Sequence, residues 1–427
     1  MRPYLYVMSL LVALPVWGQD CGSLPIAAVM TLSLETAQQR ARMCHPDVRA
    51  AVGVLVSAGA DVITSGQSPN PQLTLGAGSV GSDLGSGRLW NKTFDHSLRI
   101  DKTIERGGKL ALRQSIAEAL REAARADLAE AQRRAVLSVS QSYYELLAII
   151  GRRAETTGAL GLAGEAQRAQ ELRVKTGDVA PIEATRLALD TIRVQADLQQ
   201  TEADLHAARV LLATMLGAEA HVESLTPSDA WPLADMRPAD LPTDHAGAER
   251  RPDVIAAQRR LSAAQGSREL ARALRTRDVN VGVQLDRWPV SATNTTGTGN
   301  TISLSVSIPL FIHHAYEGEA ARAEADVANA GENLRRAKLA GVSDLAQARV
   351  RATVAAARRR LAVQELKPAA EQVAAAAELA YRRGALSLLE VLDARRSLRA
   401  ARIERINAEA DAAKAAVELD AASLALP

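Results

Sequence analysis

Aromatic residues are almost missing from this chain of 427 residues: Phe, Trp and Tyr together make up 3 % of it. That scarcity excludes a thick core built around rings. The Ala, Arg, Glu, Leu and Gln that dominate the second half point instead to long helices meeting through small and aliphatic side chains. An excess of charge of one sign is lacking too. The 51 Lys and Arg stand against 49 Asp and Glu, a net charge of +2, mixed along the chain without the basic stripe that nucleic acid requires. Long apolar runs are lacking beyond the N-terminus. There, Arg2, the apolar core Leu5 to Val16 and the small-residue pattern Val16-Trp17-Gly18 read as a signal peptide over residues 1–18. No other stretch approaches ~20 uncharged apolar residues, so no helical membrane span is expected in the mature chain. Cysteine is limited to Cys21 and Cys44. In a secreted chain these are expected to pair, tying the mature N-terminus to the first short helix. The competing reading, a lipid-modified Cys21, is disfavoured by Asp20 beside the thiol.

What the chain does contain is itself, twice. His45-Pro46-Asp47-Val48-Arg49-Ala50-Ala51 returns as Arg251-Pro252-Asp253-Val254-Ile255-Ala256-Ala257, 206 residues on. Leu73, Leu75 and Ala77 return at the same offset as Val279, Val281 and Val283, and Leu98, Ile100 and Ile104 as Leu304, Val306 and Leu310. Thr176-Gly177 with Ile182-Glu183 returns as Arg383-Gly384 with Leu389-Glu390, 207 residues on. Such register implies a duplicated unit with one order of elements: short helix, strand, loop, strand, very long helix, turn, long helix.

Each copy follows that plan. Thr31 to about Gly66 reads as helical, alternating runs follow over Gln72 to Val80 and Phe94 to Ile104, and the polar loop between them makes a hairpin. After Gly107-Gly108 a helix of ~65 residues, roughly 100 Å long, extends to about Lys175, with Gly151, Gly158, Gly161 and Gly164 as places for a bend or break. From Pro181 the chain returns to Leu216-Gly217. Thr191, Leu198, Leu205 and Leu212, beside Leu187, Val194, Thr201, Ala208 and Met215, form one seam, and Leu189, Ala196, Ala203 and Val210 a second. Two seams mean two helical neighbours. The organisation is therefore a first repeat over 19–216 (hairpin about 71–105, turn about 174–183), a proline-rich joint over 217–248, and a second repeat over 249–427 (hairpin about 278–312, turn about 381–393). In the second repeat, one helix is expected from Ala315 to Arg382.

Strands of nine to eleven residues are the length a tilted strand needs to cross a bilayer. Backbone groups in hydrocarbon must all be paired, so such a sheet must close without an edge. Four strands are too few. Copies are then required: two chains supply eight strands, three supply twelve. The alternative, a small soluble sheet capping a coiled coil, fits the same weak alternation.

The hairpins leading into long helices, with the turn motifs Arg173-Val174-Lys175-Thr176-Gly177-Asp178-Val179 and Tyr381-Arg382-Arg383-Gly384-Ala385-Leu386-Ser387-Leu388-Leu389-Glu390-Val391-Leu392-Asp393-Ala394, resemble the outer-membrane efflux protein family typified by TolC. Ile104-Glu105-Arg106-Gly107-Gly108-Lys109 looks like its heavy-metal branch, of the CzcC kind. The resemblance implies a mainly α fold with a small β part: a homotrimer sharing a twelve-stranded β-barrel in the outer membrane, in contact with its lipid and continued by a periplasmic α-helical barrel. It implies a passive exit duct of a tripartite efflux system rather than an enzyme, without cofactors. The partners would be a periplasmic adaptor (membrane fusion) protein and, through it, an inner-membrane pump of the RND type. Exported cargo would be metal cations or small toxic compounds, with drug efflux or type I protein secretion as the runner-up. A periplasmic coiled-coil scaffold without a pore is the reading of another class. By position in the motifs, Glu183, Tyr381, Glu390 and Asp393 would line the periplasmic gate. Thr176, Gly177, Asp178, Arg383, Gly384 and Ala385 would form the adaptor-docking tip. The chain departs from some relatives in carrying Leu386 where they place an Arg. An ordinary alternative pairs Glu390 and Asp393 with Arg395 and Arg396 on their own helix.

Other candidates carry less. His313-His314 point in different directions and no ligand-spaced Cys, Asp or Glu joins them. The glycines around Gly76 and Gly85 lack the strand-then-helix setting of a phosphate loop, and nothing forms a triad with His206. Trp90, Phe94, Trp288, Phe311 and Tyr316 flank the strands as candidates for interfacial belts.

Overall fold

The computed structural model describes residues 31–78, 80, 94–232, 249–290, 295–296 and 299–423. The expected signal peptide, Cys21, Trp90 and most of the proline-rich joint lie outside these residues. The chain divides into two compact units: Met1–Ala51 with Ala129–Ala248 and Gly341–Pro427, and Val52–Leu128 with Glu249–Ala340.

The second of these units holds the sheet. Its strands are β2 (Gln72–Gly78), β3 (Asp95–Ile104), β5 (Val279–Trp288) and β6 (Gly299–Ser307), in the order β2-β3-β5-β6 with every neighbour antiparallel. The two hairpins are thus joined into one sheet by β3 against β5, Ile100 facing Val283. Asp101 in β3 and Gly282 in β5 are also partners. The sheet is preceded by helix α2 (Pro46–Ser65), and Pro252–Ala273, designated α5, precedes β5.

The helices are those that the duplication anticipates, with three departures. Helix α3 (Lys109–Lys175) continues through all four glycines as one element of 67 residues. Gly151 lies in close packing, where a Cβ would stand 3.3 Å from Ile406 Cδ1. In the second copy, by contrast, the single expected helix is interrupted. Helix α6 (Glu317–Leu361) passes through a π-turn at Ala362–Leu366 into α7 (Lys367–Arg382). Pro368 sits in the first turn of α7 and has no N–H to continue the α ladder. Finally, the N-terminal segment begins not as helix but as strand: β1 (Thr31–Leu32) pairs in parallel with β4 (Thr226–Pro227) before α1 (Leu34–Cys44) starts. Together α1 and α2 span Leu34–Ser65, which is long and apolar enough for a bilayer by length and composition alone, contrary to the sequence expectation. His45 separates the two helices, and Asp47, Arg49 and Asp61 lie in α2.

Within the first unit, α4 (Pro181–Leu216) and α8 (Leu388–Ser423) complete the helices. The first seam of α4 is covered, with Leu187, Val194, Leu205 and Leu212 buried, while Leu189 and Val210 on the second are exposed. On α8 the buried positions are mostly alanine, among them Ala401, Ala408, Ala410 and Ala412. Small side chains let helices approach closely, which is how so few rings suffice. Cys44 is buried in α1, and no cysteine is free among the described residues. Its expected partner falls outside them.

One polar latch holds the short strands. Tyr143 of α3 is fully buried. Its hydroxyl lies 3.0 Å from both the Leu32 carbonyl and Asp229 Oδ2, and accepts from the Asp229 N–H at 3.2 Å. Asp229 Oδ2 also accepts from the Leu34 N–H at 2.6 Å. Burial pushes the Tyr143 phenol up to about 12. Tyr143→Phe leaves these groups short of a partner and is expected to destabilise the unit by ~1–3 kcal/mol. A urea midpoint equal to the parent's would show the latch to be dispensable.

Candidate functional site

The two helix turns of the first unit are built alike. After α3, Gly177 adopts φ 81°, with its N–H donating to Val174 O at 3.1 Å and the Asp178 N–H to Arg173 O at 2.9 Å. After α7, Gly384 adopts φ 73°, its N–H donating to Tyr381 O at 2.9 Å and the Ala385 N–H to Ala380 O at 2.9 Å. This is the Schellman closure, which needs a left-handed residue and satisfies the last carbonyls of the helix. Thr176, Gly177, Asp178, Arg383, Gly384 and Ala385 are all exposed, and Thr176 Oγ1 donates to Asp178 Oδ2 at 2.8 Å.

The turns differ on their far sides. Pro181 opens α4, and its N-cap Ala180 offers no side-chain bond. Ser387 caps α8 in a capping box: its N–H and Oγ both donate to Glu390 Oε2, at 2.8 and 2.9 Å. The bond from the Ser387 N–H, seconded by its hydroxyl, holds the Glu390 carboxyl below its usual range, so this residue is charged at neutral pH. Glu183 has no serine at the matching place and accepts from Gln170 Nε2 at 2.7 Å. Tyr381 accepts from Arg173 Nη1 at 2.9 Å. Glu183, Glu390 and Asp393 therefore engage separate partners within one chain. A cavity of about 280 Å³ lies among these helices, lined by Gln170, Arg173, Leu187, Glu378, Tyr381 and Arg395 with their neighbours.

Sequence reasoning missed where the arginines of α8 go. Arg395 pairs with Glu378 on α7 at 2.9 Å, and Arg399 with Asp197 on α4 at 2.9 Å. Arg396 bridges Asp190 on α4 at 2.7 Å as well as Asp393 at 3.3 Å. Of the same-helix pairs envisaged for Glu390 and Asp393, only that between Asp393 and Arg396 is found.

The sheet of the second unit is two-faced. Its register sets Leu73, Ile100, Val283 and Leu304 in one row, and Leu75, Leu98, Leu285 and Ile302 in another. These lie on one side, and none of the eight is buried. The opposite side carries Thr74, Ser97, Arg99, Asp101, Asn280, Gln284, Asp286 and, along β6, Thr301, Ser303, Ser305 and Ser307. Lys102 falls on the apolar side and turns its Nζ to the Pro69 carbonyl at 2.5 Å. Trp288, considered for an aromatic belt, falls on the polar side, donating to Thr301 Oγ1 at 3.2 Å. Phe311 and Tyr316 meet edge to face with centroids 5.3 Å apart.

The stretch Ile104 to Lys109 is explained by its contacts. Glu105 binds Arg113 at 2.5 Å, and Lys109, buried, binds both Asp278 and the Thr276 carbonyl at 2.8 Å. Gly107, at φ 76°, abuts Thr276, whose Cβ would stand 2.9 Å from an added Cβ. The motif clasps the strand-to-helix junction to the chain entering β5.

The chain is similar to known proteins. The model of a family described as Outer membrane efflux protein matches residues 37–218 and 246–423. The chain belongs to that family. An outer membrane efflux protein is stationed in the outer membrane, and the bare apolar face of the sheet suits that place. Among relatives, the cobalt-zinc-cadmium resistance protein CzcC of Cupriavidus metallidurans is 26 % identical over 404 residues, 93 % of this chain and 91 % of the relative. The pyoverdine export outer membrane protein OpmQ of Pseudomonas aeruginosa is 27 % identical over 388 residues, 86 % of this chain and 80 % of that one. The solved CmeC outer membrane channel of Campylobacter jejuni superimposes with a TM-score of 0.77 at 16 % identity, over 91 % of this chain and 85 % of that one, a likeness of fold.

Proposed function

We propose that this outer membrane efflux protein is the exit channel of a tripartite efflux system, passive in itself, carrying metal cations or small toxic compounds. The observation that carries the reading is the four-stranded sheet with an uncovered apolar face and a polar one, ending at β2 and β6, which have no further strand partner among the described residues. In a bilayer those edges must be paired. Copies supply the pairing, β6 of one chain against β2 of the next, and three copies give the twelve strands of a homotrimer. The exposed second seam of α4 offers a face for a neighbouring helix. The repeats would run over 19–216 and 249–427 with a joint over 217–248. The exposed turns around Gly177 and Gly384 would receive a periplasmic adaptor that links the channel to an inner-membrane pump. Metal cargo is favoured by the full-length likeness to a cobalt-zinc-cadmium resistance protein, and organic cargo by that to a pyoverdine exporter.

Extraction of an SDS-resistant trimer from outer membranes is the expected result. Recovery as a soluble periplasmic monomer overturns the channel. Sensitivity of a deletion strain to a panel of metals and organic toxins then separates the cargoes. Glu183, Tyr381, Glu390 and Asp393 are proposed as gate residues, since a three-fold axis turns each carboxylate into a ring that attracts cations. Replacing Glu390 and Asp393 together by Ala is expected to lower cation preference in planar-bilayer recordings. Unchanged selectivity would remove the pair from the gate.

A further inference from the structure

The polar face of the sheet carries a charge arrangement of its own. Among the described residues of its four strands, Arg99 is the one Lys or Arg on that face, against Asp95, Asp101 and Asp286. Its guanidinium does not reach away from the wall. Nε donates to Asp101 Oδ2 at 2.7 Å and Nη2 to Asp101 Oδ1 at 2.8 Å, a bidentate fork, and Nη2 extends to Ser305 Oγ at 3.3 Å. Arg99 belongs to β3 and Ser305 to β6, so the group crosses the whole width of β5. It crosses at Gly282, the register partner of both Asp101 and Ser305. A Cβ there would lie 2.5 Å from Asp101 Oδ1 and from Ser305 Oγ, and 3.2 Å from Arg99 Nη2. The missing side chain is what lets the ion pair lie flat against the strands.

We propose that this Arg99–Asp101 pair, laid across Gly282, keeps the charge of Asp101 masked on the wall of the passage bounded by the sheet and so limits that wall's preference for cations. The proposal rests on the efflux-channel reading, in which the polar face is the wall of a water-filled barrel. Charged side chains on such a wall act on permeating ions through a field that the low-dielectric surroundings focus into the lumen. While the fork is intact, Arg99 cancels Asp101. Loss of the guanidinium unmasks Asp101 and adds one negative charge per chain. Loss of the carboxylate frees Arg99 and adds one positive charge.

The test is the reversal potential of the purified full-length protein in planar bilayers under a KCl gradient. Arg99→Gln is expected to raise the potassium-to-chloride permeability ratio at least about twofold, and Asp101→Asn to lower it by a similar factor. The double variant should return towards the parent, since its net charge is the same. Arg99→Lys, which keeps the charge and loses the fork, should stay near the parent. Ser303→Arg, which adds a positive charge on the same face at a residue outside the pair, should lower the ratio; with that shift seen, unchanged values in the pair variants count against the pair rather than against the face. Conducting variants whose reversal potentials all equal the parent's overturn the assignment. A parent protein that forms no oligomer and passes no ions counts instead against the channel itself.

Discussion

Leu304→Arg is expected to remove the protein from the outer membrane, while Ser303→Arg, one residue away, assembles normally. The contrast follows from a period of two: neighbouring residues of a strand point to opposite faces. Leu304 is 79 % exposed in the single chain and sits in the row with Val283, Ile100 and Leu73. Ser303 sits in the row with Gln284, Arg99 and Thr74. If the apolar row meets lipid, an Arg at mid-strand costs ~2–4 kcal/mol in each chain, and a trimer bears that cost three times. The amount of heat-modifiable trimer in the outer-membrane fraction should therefore fall by at least a power of ten for Leu304→Arg. On the opposite row the new guanidinium meets water and hydroxyls, and the trimer should persist near parental amounts. Equal assembly of both variants would mean that the bare row does not face hydrocarbon.

How much of this was legible in the sequence depended on the range of the interaction. The strands announced themselves because alternation is a local signal, and the offset of 206 residues carried it from one hairpin to the other. The register between the hairpins was not legible: the repeat equates Leu73 with Val279, whereas the sheet sets Leu73 in the row of Val283. The turns were equally readable, because a tight helix end calls for a left-handed residue and glycine supplies it at both places. The long helix was read correctly in extent, and the break offered at its glycines does not occur. Helix propensity counts each glycine as a cost of ~1 kcal/mol and does not see that Gly151 packs closely against Ile406 from α8. Pro368, a stronger signal in the same alphabet, does mark the π-turn. The short β1–β4 pair was beyond reach. It depends on Tyr143 and Asp229, 86 residues apart, meeting in one hydrogen-bonded latch. For the same reason the sequence offered Arg395 and Arg396 to carboxylates of their own helix. Pairing rules within a helix know nothing of Glu378 or Asp190 on the helices alongside.

Gly384→Val is the second substitution with a large expected effect: export should be impaired severely while trimers still form. At φ 73° the residue occupies the left-handed region, where a β-branched side chain costs at least ~1–2 kcal/mol. The cost is one of backbone conformation alone, because nothing lies within 4 Å of a Cβ added there. That open space separates two explanations. A glycine kept for packing inside its own chain would be crowded, as Gly282 is, whereas Gly384 exposes its backbone beside Arg383 and Ala385, where the adaptor is proposed to dock. Relieving the strain means abandoning the closure that joins Ala385 to Ala380 and Gly384 to Tyr381. Tyr381 and the Ser387 cap of α8 flank that closure, so the proposed gate and docking geometry should change together, while the helix seams proposed to hold the oligomer remain. Asparagine visits the left-handed region more readily than other side chains, so Gly384→Asn should retain most export and Gly384→Ala should fall between it and valine. A cell survival assay on the exported toxin, read beside the trimer level, ranks the three. Full export by Gly384→Val at a normal trimer level would show that the bend at this turn is not what the efflux partner recognises.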